Sequence, residues 1–182
     1  QNHNLGLADI VLINGDAGVE LTSPKQKKIH LCHFDYDIYL KYKKKRNFRK
    51  NKKFAVFLDQ FLPFHSGQNY IGTESKNIDH KTYYRNLELF FQKFEKEYNM
   101  EVKIAAHPRS NYKKNKFIKK CKKVFINKTA ELVKNSSITF THHSLGMNFA
   151  VLFKKPIFFL TFSSYKKVEA FKPNLLSKFF KT

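Results

Sequence analysis

The chain has 182 residues, 42% hydrophobic and 16% aromatic, which excludes a disordered tail and allows one good core, or one domain and part of another. Its formal charge of +21 draws it toward polyanions and acidic lipid headgroups, yet 31 lysines stand beside only four arginines. Base readers and phosphate clamps rely on the planar arginine fork, so no specific nucleic-acid partner is expected.

In chain order, "ADIVLIN" (8–14) and "KKIHLCHF" (27–34) read as strands, followed by "DYDIYL" and the basic run "KYKKKRNFRKNKK" (41–53). That run has almost no apolar content and reads as a solvated connector. The chain opens on Gln1 without a clear start, and we expect a piece of a longer protein. On this reading residues 1–40 are the end of an upstream, acceptor-side domain, 41–53 a basic linker and 54–182 a second domain.

From Lys53 the pattern changes to short apolar runs alternating with helical periods. "KFAVFL" (53–58) predicts a buried strand, and residues 79–98 a helix with Asp79 as N-cap and Tyr83, Leu87, Phe90, Phe91, Phe94 and Tyr98 on one face. "VKIAA" (102–106) and "KVFI" (123–126) predict strands, "TAELVKN" (129–135) a helix, "SITFT" (137–141) a strand, "SLGMNFAVLF" (144–153) a helix and "PIFFL" (156–160) the last strand. A β-α repeat without hairpin signals predicts an α/β fold: a doubly wound parallel sheet with helices on both faces. The longest apolar runs fall well short of the roughly 20 residues that span a bilayer. Cys32 and Cys121 form no metal-type spacing, which fits a reducing compartment.

In an open parallel sheet, ligands bind beyond the carboxyl ends of the strands. The loops there would be "DQFLPFHSG", "HPRSN", "NKT", "HHS" and "TFSS". In the second, Pro108 holds His107 extended and fixes the turn, while His107 and Arg109 carry donors suited to phosphate oxygens. The plainer reading is a satisfied strand end and one more surface cation. Ser144 is placed to cap the helix that follows, where N–H groups attract an anion. His142 and His143 cannot both face the pocket from an extended chain, so one is structural, and they lack a third ligand for a metal. Lys128 and Thr129 open another helix at the same edge, as ligands or as a solvated lysine and an ordinary cap.

Read in order, "FAVFLDQFLPFH", "HPRSNY" and "KTAELVKNSSITFTHHSLGMNFAVLFKKPIFFLT" resemble the carboxyl-terminal half of bacterial GT-B glycosyltransferases that build capsule and lipopolysaccharide, closest to the sialyltransferase and polysialyltransferase type. The likeness spans roughly 53–162 and, more loosely, "HFDYDIYL" (33–40). His107 and Pro108 match the HP motif of that family; His143 and Ser144 stand where it has a pair of small hydroxyl residues, so His143 departs from the pattern. The resemblance implies a Rossmann-like GT-B domain and transfer of a sugar, CMP-activated and sialic-acid-like or Kdo-like, onto a surface glycan or glycolipid. It implies that His107 contacts the donor phosphate and that Ser144 helps to bind it. Taken with the strand-end loops, the expected donor site is His107, Pro108, Arg109, Lys128, Thr129, His143 and Ser144, with Asp59, Gln60 and His65 in the adjoining cleft. No metal or other cofactor is expected, and no catalytic base is named. The expected location is the cytoplasm, with peripheral contact to anionic inner-membrane lipid. Two enzyme classes of the same architecture, sugar-nucleotide epimerases and glycerophosphotransferases, remain as alternatives. A basic nucleic-acid-binding domain ranks below them.

Overall fold

The computed structural model describes residues 8–14, 19, 22–45, 53–64, 79–110, 112, 123–161 and 177–178. Five strands form one parallel sheet: β3 (Phe54–Leu58), β4 (Glu101–Ala106), β5 (Val124–Ile126), β6 (Ile138–Thr141) and β7 (Ile157–Phe159). Their order is β5-β4-β3-β6-β7. The chain starts at the centre, winds outward through β4 and β5, then crosses back to add β6 and β7 on the other side. All neighbouring pairs are parallel, with Phe57 opposite both Ile104 and Phe140. The five carboxyl ends therefore open on one edge, and the reversal of winding falls between β3 and β6.

Burial explains the sequence of the central strand. Ala55 to Leu58 are all buried, so "FAVFL" is continuously apolar rather than alternating. Ala55 and Phe57 face α2 (His80–Tyr98) in a cluster with Tyr83, Tyr84, Leu87, Phe91, Phe94, Ile104 and Phe140. Val56 and Leu58 face the opposite layer, formed by α3 (Thr129–Asn135) and α4 (Met147–Leu152), through Ala130, Val133, Phe149 and Ala150. Helices thus cover both faces, as a doubly wound α/β sheet requires.

The ends of α2 follow capping rules. Asp79 accepts hydrogen bonds from the N–H groups of Lys81 at 3.3 Å and Thr82 at 2.9 Å, and Asn99 closes the helix in the left-handed conformation at φ 47°. Its buried face differs from the expected stripe at two places: Tyr84 is buried, while Tyr98 is exposed. Tyr84 is covered by Phe64, in a short 3-10 turn after β3, and by Tyr112.

Two features depart from the expectations for the rest of the chain. Residues 34–43 form a helix, α1 (Phe34–Lys43), capped by His33. It lies on the same layer as α3 and α4, with Ile38 and Tyr42 packed on their apolar side. The Lys134 ammonium donates to the carbonyls of Tyr42 and Lys45, closing the carboxyl end of α1. The start of the basic run is therefore helix, with Tyr42 packed inward; residues 46–52 lie outside the described residues. The division into an upstream domain over 1–40, a linker over 41–53 and a second domain over 54–182 is a proposal. Ahead of α1, β1 (Ile10–Asn14) and β2 (Lys27–Leu31) pair in parallel, Leu12 opposite Ile29.

The second departure is at α4, which was expected to begin at Ser144. The Ser144 and Leu145 carbonyls instead accept from Met147 and Asn148 in a turn, and the helix starts at Met147 with Gly146 as N-cap. Ser144 is not the helix cap. Gly146 lets this turn lie close to α3, since a Cβ there would come within 3.2 Å of Thr129 Cγ2.

Candidate functional site

Asp59, the first residue beyond β3, organises the edge. Its carboxylate is 4% exposed and accepts the Phe61 N–H at 2.8 Å through Oδ1 and the His107 N–H at 3.2 Å through Oδ2. Burial pushes Asp59 above the usual carboxylate range, against the opposing effects of the Phe61 N–H, the Tyr112 side chain, and the N–H and charge of His107. Phe61 sits at φ 56°, a conformation that bulky residues rarely adopt, and from there its ring stacks on His107 at 6.0 Å and 10°.

His107 and Pro108 begin a tight turn that the Ser110 N–H closes on the His107 carbonyl at 2.8 Å, with proline at the second position where its fixed φ fits. The Ser110 hydroxyl donates to the same carbonyl at 2.6 Å. His107 Nδ1 accepts the Arg109 N–H at 3.2 Å, so the neutral ring carries its proton on Nε2. The "HPRS" run is thus a turn that orients one imidazole: the backbone is anchored by Asp59, one face by Phe61, and Nδ1 by Arg109.

The two histidines after β6 divide as geometry requires. His142 is 0% exposed, with Nδ1 2.7 Å from the Leu160 carbonyl and Nε2 3.1 Å from the Tyr83 hydroxyl. Burial lowers its pKa to about 4; the Leu160 carbonyl opposes this and His143 adds to it. His142 is the structural member of the pair. His143 donates its N–H to Gln60 Oε1 at 2.9 Å, tying the loop after β6 to the loop after β3 across the reversal point. Ser144 donates its N–H to Thr141 Oγ1 at 3.1 Å, and its Oγ accepts the Gly146 N–H at 3.2 Å.

These loops border a cleft at the carboxyl edge, lined among others by Leu58, Asp59, His107, Pro108, Thr129 and Ser144. Five of the ten residues singled out from the sequence therefore meet in one place. Arg109 is exposed beside the cleft without lining it. Lys128 turns to Glu131, 3.1 Å away, and Gln60 and His143 hold the adjoining loops together. His65 lies outside the described residues.

Part of the lining was missed. His33, Phe34 and Asp35, at the start of α1, line the same cleft. Asp35 is 6% exposed; its Oδ2 accepts from Asn148 Nδ2 at 2.9 Å and lies 3.1 Å from His33 Nδ1. The available signal was "HFD", an imidazole two residues before a carboxylate at a helix start, which gains meaning only when α1 is docked against α4. Among the described residues no three His, Cys, Asp or Glu side chains gather as a metal site, and no helix is long and apolar enough to cross a membrane.

No protein-family model and no curated protein matches the chain. Among solved structures it is similar to the UDP-GlcNAc 2-epimerase of Methanocaldococcus jannaschii in complex with UDP-GlcNAc and UDP, at a TM-score of 0.45 and 18% identity. The match covers 76% of this chain and 40% of that one, so the chain spans less than half the length of the epimerase.

Proposed function

We propose that the cleft binds the phosphate of a nucleotide sugar and that the protein serves a GT-B glycosyltransferase reaction, moving the sugar onto a surface glycan or glycolipid. The observation that carries this reading is the oriented imidazole of His107 at the carboxyl edge of β4, sharing a cleft with the hydroxyl residues Thr129 and Ser144 beside the reversal point of the sheet. A neutral imidazole with its proton on Nε2 and two hydroxyls form a donor set suited to phosphate oxygens, and Arg109 adds charge at the rim. As the bond to the sugar breaks, negative charge grows on the phosphate, so the same donors would bind the transition state more strongly than the ground state.

The cleft holds about 190 Å³, below the roughly 300–1,000 Å³ of a complete ligand pocket, so it accommodates one end of such a donor and leaves the rest to the surrounding surface. A sialic-acid-like or Kdo-like sugar activated by CMP is the donor we propose. The experiment is a thermal-shift screen with CMP, UDP, GDP and their sugars: a ligand of the folded state must raise its melting temperature. Stabilisation by CMP and its sugar supports this donor. Stabilisation by UDP and UDP-GlcNAc alone, with interconversion of the sugar, would support an epimerase of similar architecture. No response to any nucleotide would overturn the reading.

A further inference from the structure

Within the proposed sugar-transfer reading, on which this step rests, we infer that His33 is a second anion subsite of the cleft: a hydrogen-bond donor for a negative group of the nucleotide sugar other than the phosphate at His107. Two imidazoles line the cleft, and they are set in the same way from distant parts of the chain. His107 Nδ1 accepts the N–H of Arg109, two residues on, at 3.2 Å, and His33 Nδ1 accepts the N–H of Asp35, two residues on, at 3.3 Å. Each neutral ring therefore carries its proton on Nε2.

His33 keeps that donor in either charge state. Its Nδ1 also stands 3.1 Å from the Asp35 carboxylate, so in the protonated ring Nδ1–H donates to that carboxylate while Nε2–H remains. The ring is fixed at the start of α1 and packs on Phe34, with centroids 4.2 Å apart. Its side chain is 36% exposed, open to a ligand in the cleft it lines. The two carboxylates of the lining, by contrast, are buried and engaged: Asp59 accepts the N–H groups of Phe61 and His107, and Asp35 accepts from Asn148 Nδ2. Two imidazole N–H groups with the hydroxyls of Thr129 and Ser144 make a donor set larger than one phosphate contact requires.

The proposed donor supplies a second anion. A nucleoside monophosphate brings one phosphate, and a sialic-acid-like or Kdo-like sugar adds a carboxylate on the anomeric carbon, the same carbon that bears the phosphate oxygen. The two negative groups are thus a few bonds apart, close enough to share a cleft of about 190 Å³. A nucleoside diphosphate would bring its second phosphate to the same place. The chemistry common to both is an anion next to the first phosphate, and a neutral sugar on a monophosphate lacks it.

The test is calorimetric titration of CMP, CMP-N-acetylneuraminate, UMP and UDP against the wild-type chain and His33→Ser at physiological salt. Serine keeps a cap on α1 and removes the imidazole. Binding of the ligand with the second anion is expected to weaken about ten- to a hundredfold, as for a lost hydrogen bond to a charged group, while CMP and UMP stay within about twofold. A selective loss with CMP-N-acetylneuraminate identifies the carboxylate; a selective loss with UDP identifies the second phosphate. Unchanged CMP binding doubles as the control that the cleft is folded. Should the serine variant fail to fold, His33→Asn, which also caps, is read by the same ratios. No selective loss in either variant, or an equal loss with all four ligands, would overturn the inference. A wild-type chain that binds none of the four would instead overturn the sugar-transfer reading itself, and this inference with it.

Discussion

At His142 burial decides protonation. Its folded-state pKa of about 4 lies below the ordinary 6.5, so as pH falls between those values the unfolded chain takes up a proton that the folded one refuses. Its contribution is complete above about pH 6.5 and is lost as pH falls toward 4; the span corresponds to about 3 kcal/mol. Urea denaturation of the wild type and His142→Gln at pH 7.5 and 4.5 is expected to show a steeper loss in the wild type. Equal losses would mean that the ring is not held neutral. The site was only partly legible at this scale. "HPR" could be read as an oriented imidazole because proline acts on its own neighbours. Which of His142 and His143 faces inward depends on the register of β6 against β7. Asp35 was marked only by "HFD", which carries little by itself because the partner Asn148 is 113 positions away.

Elements were legible where their periodicity was strong and their partners symmetric. The stripe of α2 announced itself because one side packs on the sheet and the other meets solvent. Leu87→Ala, within that stripe, is expected to cost about 2–5 kcal/mol by urea denaturation, whereas Leu89→Ala at a 54% exposed position should stay within about 0.5 kcal/mol. Similar losses at both positions would contradict the packing of α2 on Phe57 and Ile104. By contrast, α1 was hidden by its own composition: "FDYDIYLKYK" mixes aspartates, tyrosines and lysines so evenly that the inward pair Ile38 and Tyr42 does not stand out. The early start expected for α4 has a similar origin. Serine before an apolar run is a common cap, whereas the observed N-cap, Gly146, sits where a Cβ would come within 3.2 Å of Thr129 Cγ2, a tertiary contact.

For the whole molecule the charge of +21 and the cleft make separable demands. Lysine-rich surface attracts any polyanion through released counterions, so binding of duplex or single-stranded DNA is expected to collapse between 50 and 200 mM salt, with little dependence on sequence. Tight, sequence-selective binding that survives physiological salt would favour a nucleic-acid role. Directed hydrogen bonds inside a cleft are screened far less. The most direct test of the central claim is therefore calorimetric titration of CMP and UDP against the wild type and His107→Ala at physiological salt. Wild-type binding weakened by about 1.5–3 kcal/mol in the variant, roughly ten- to a hundredfold in Kd, is the expected result for a lost hydrogen bond to a charged phosphate. Nucleotide affinity unchanged by the loss of the imidazole would contradict it.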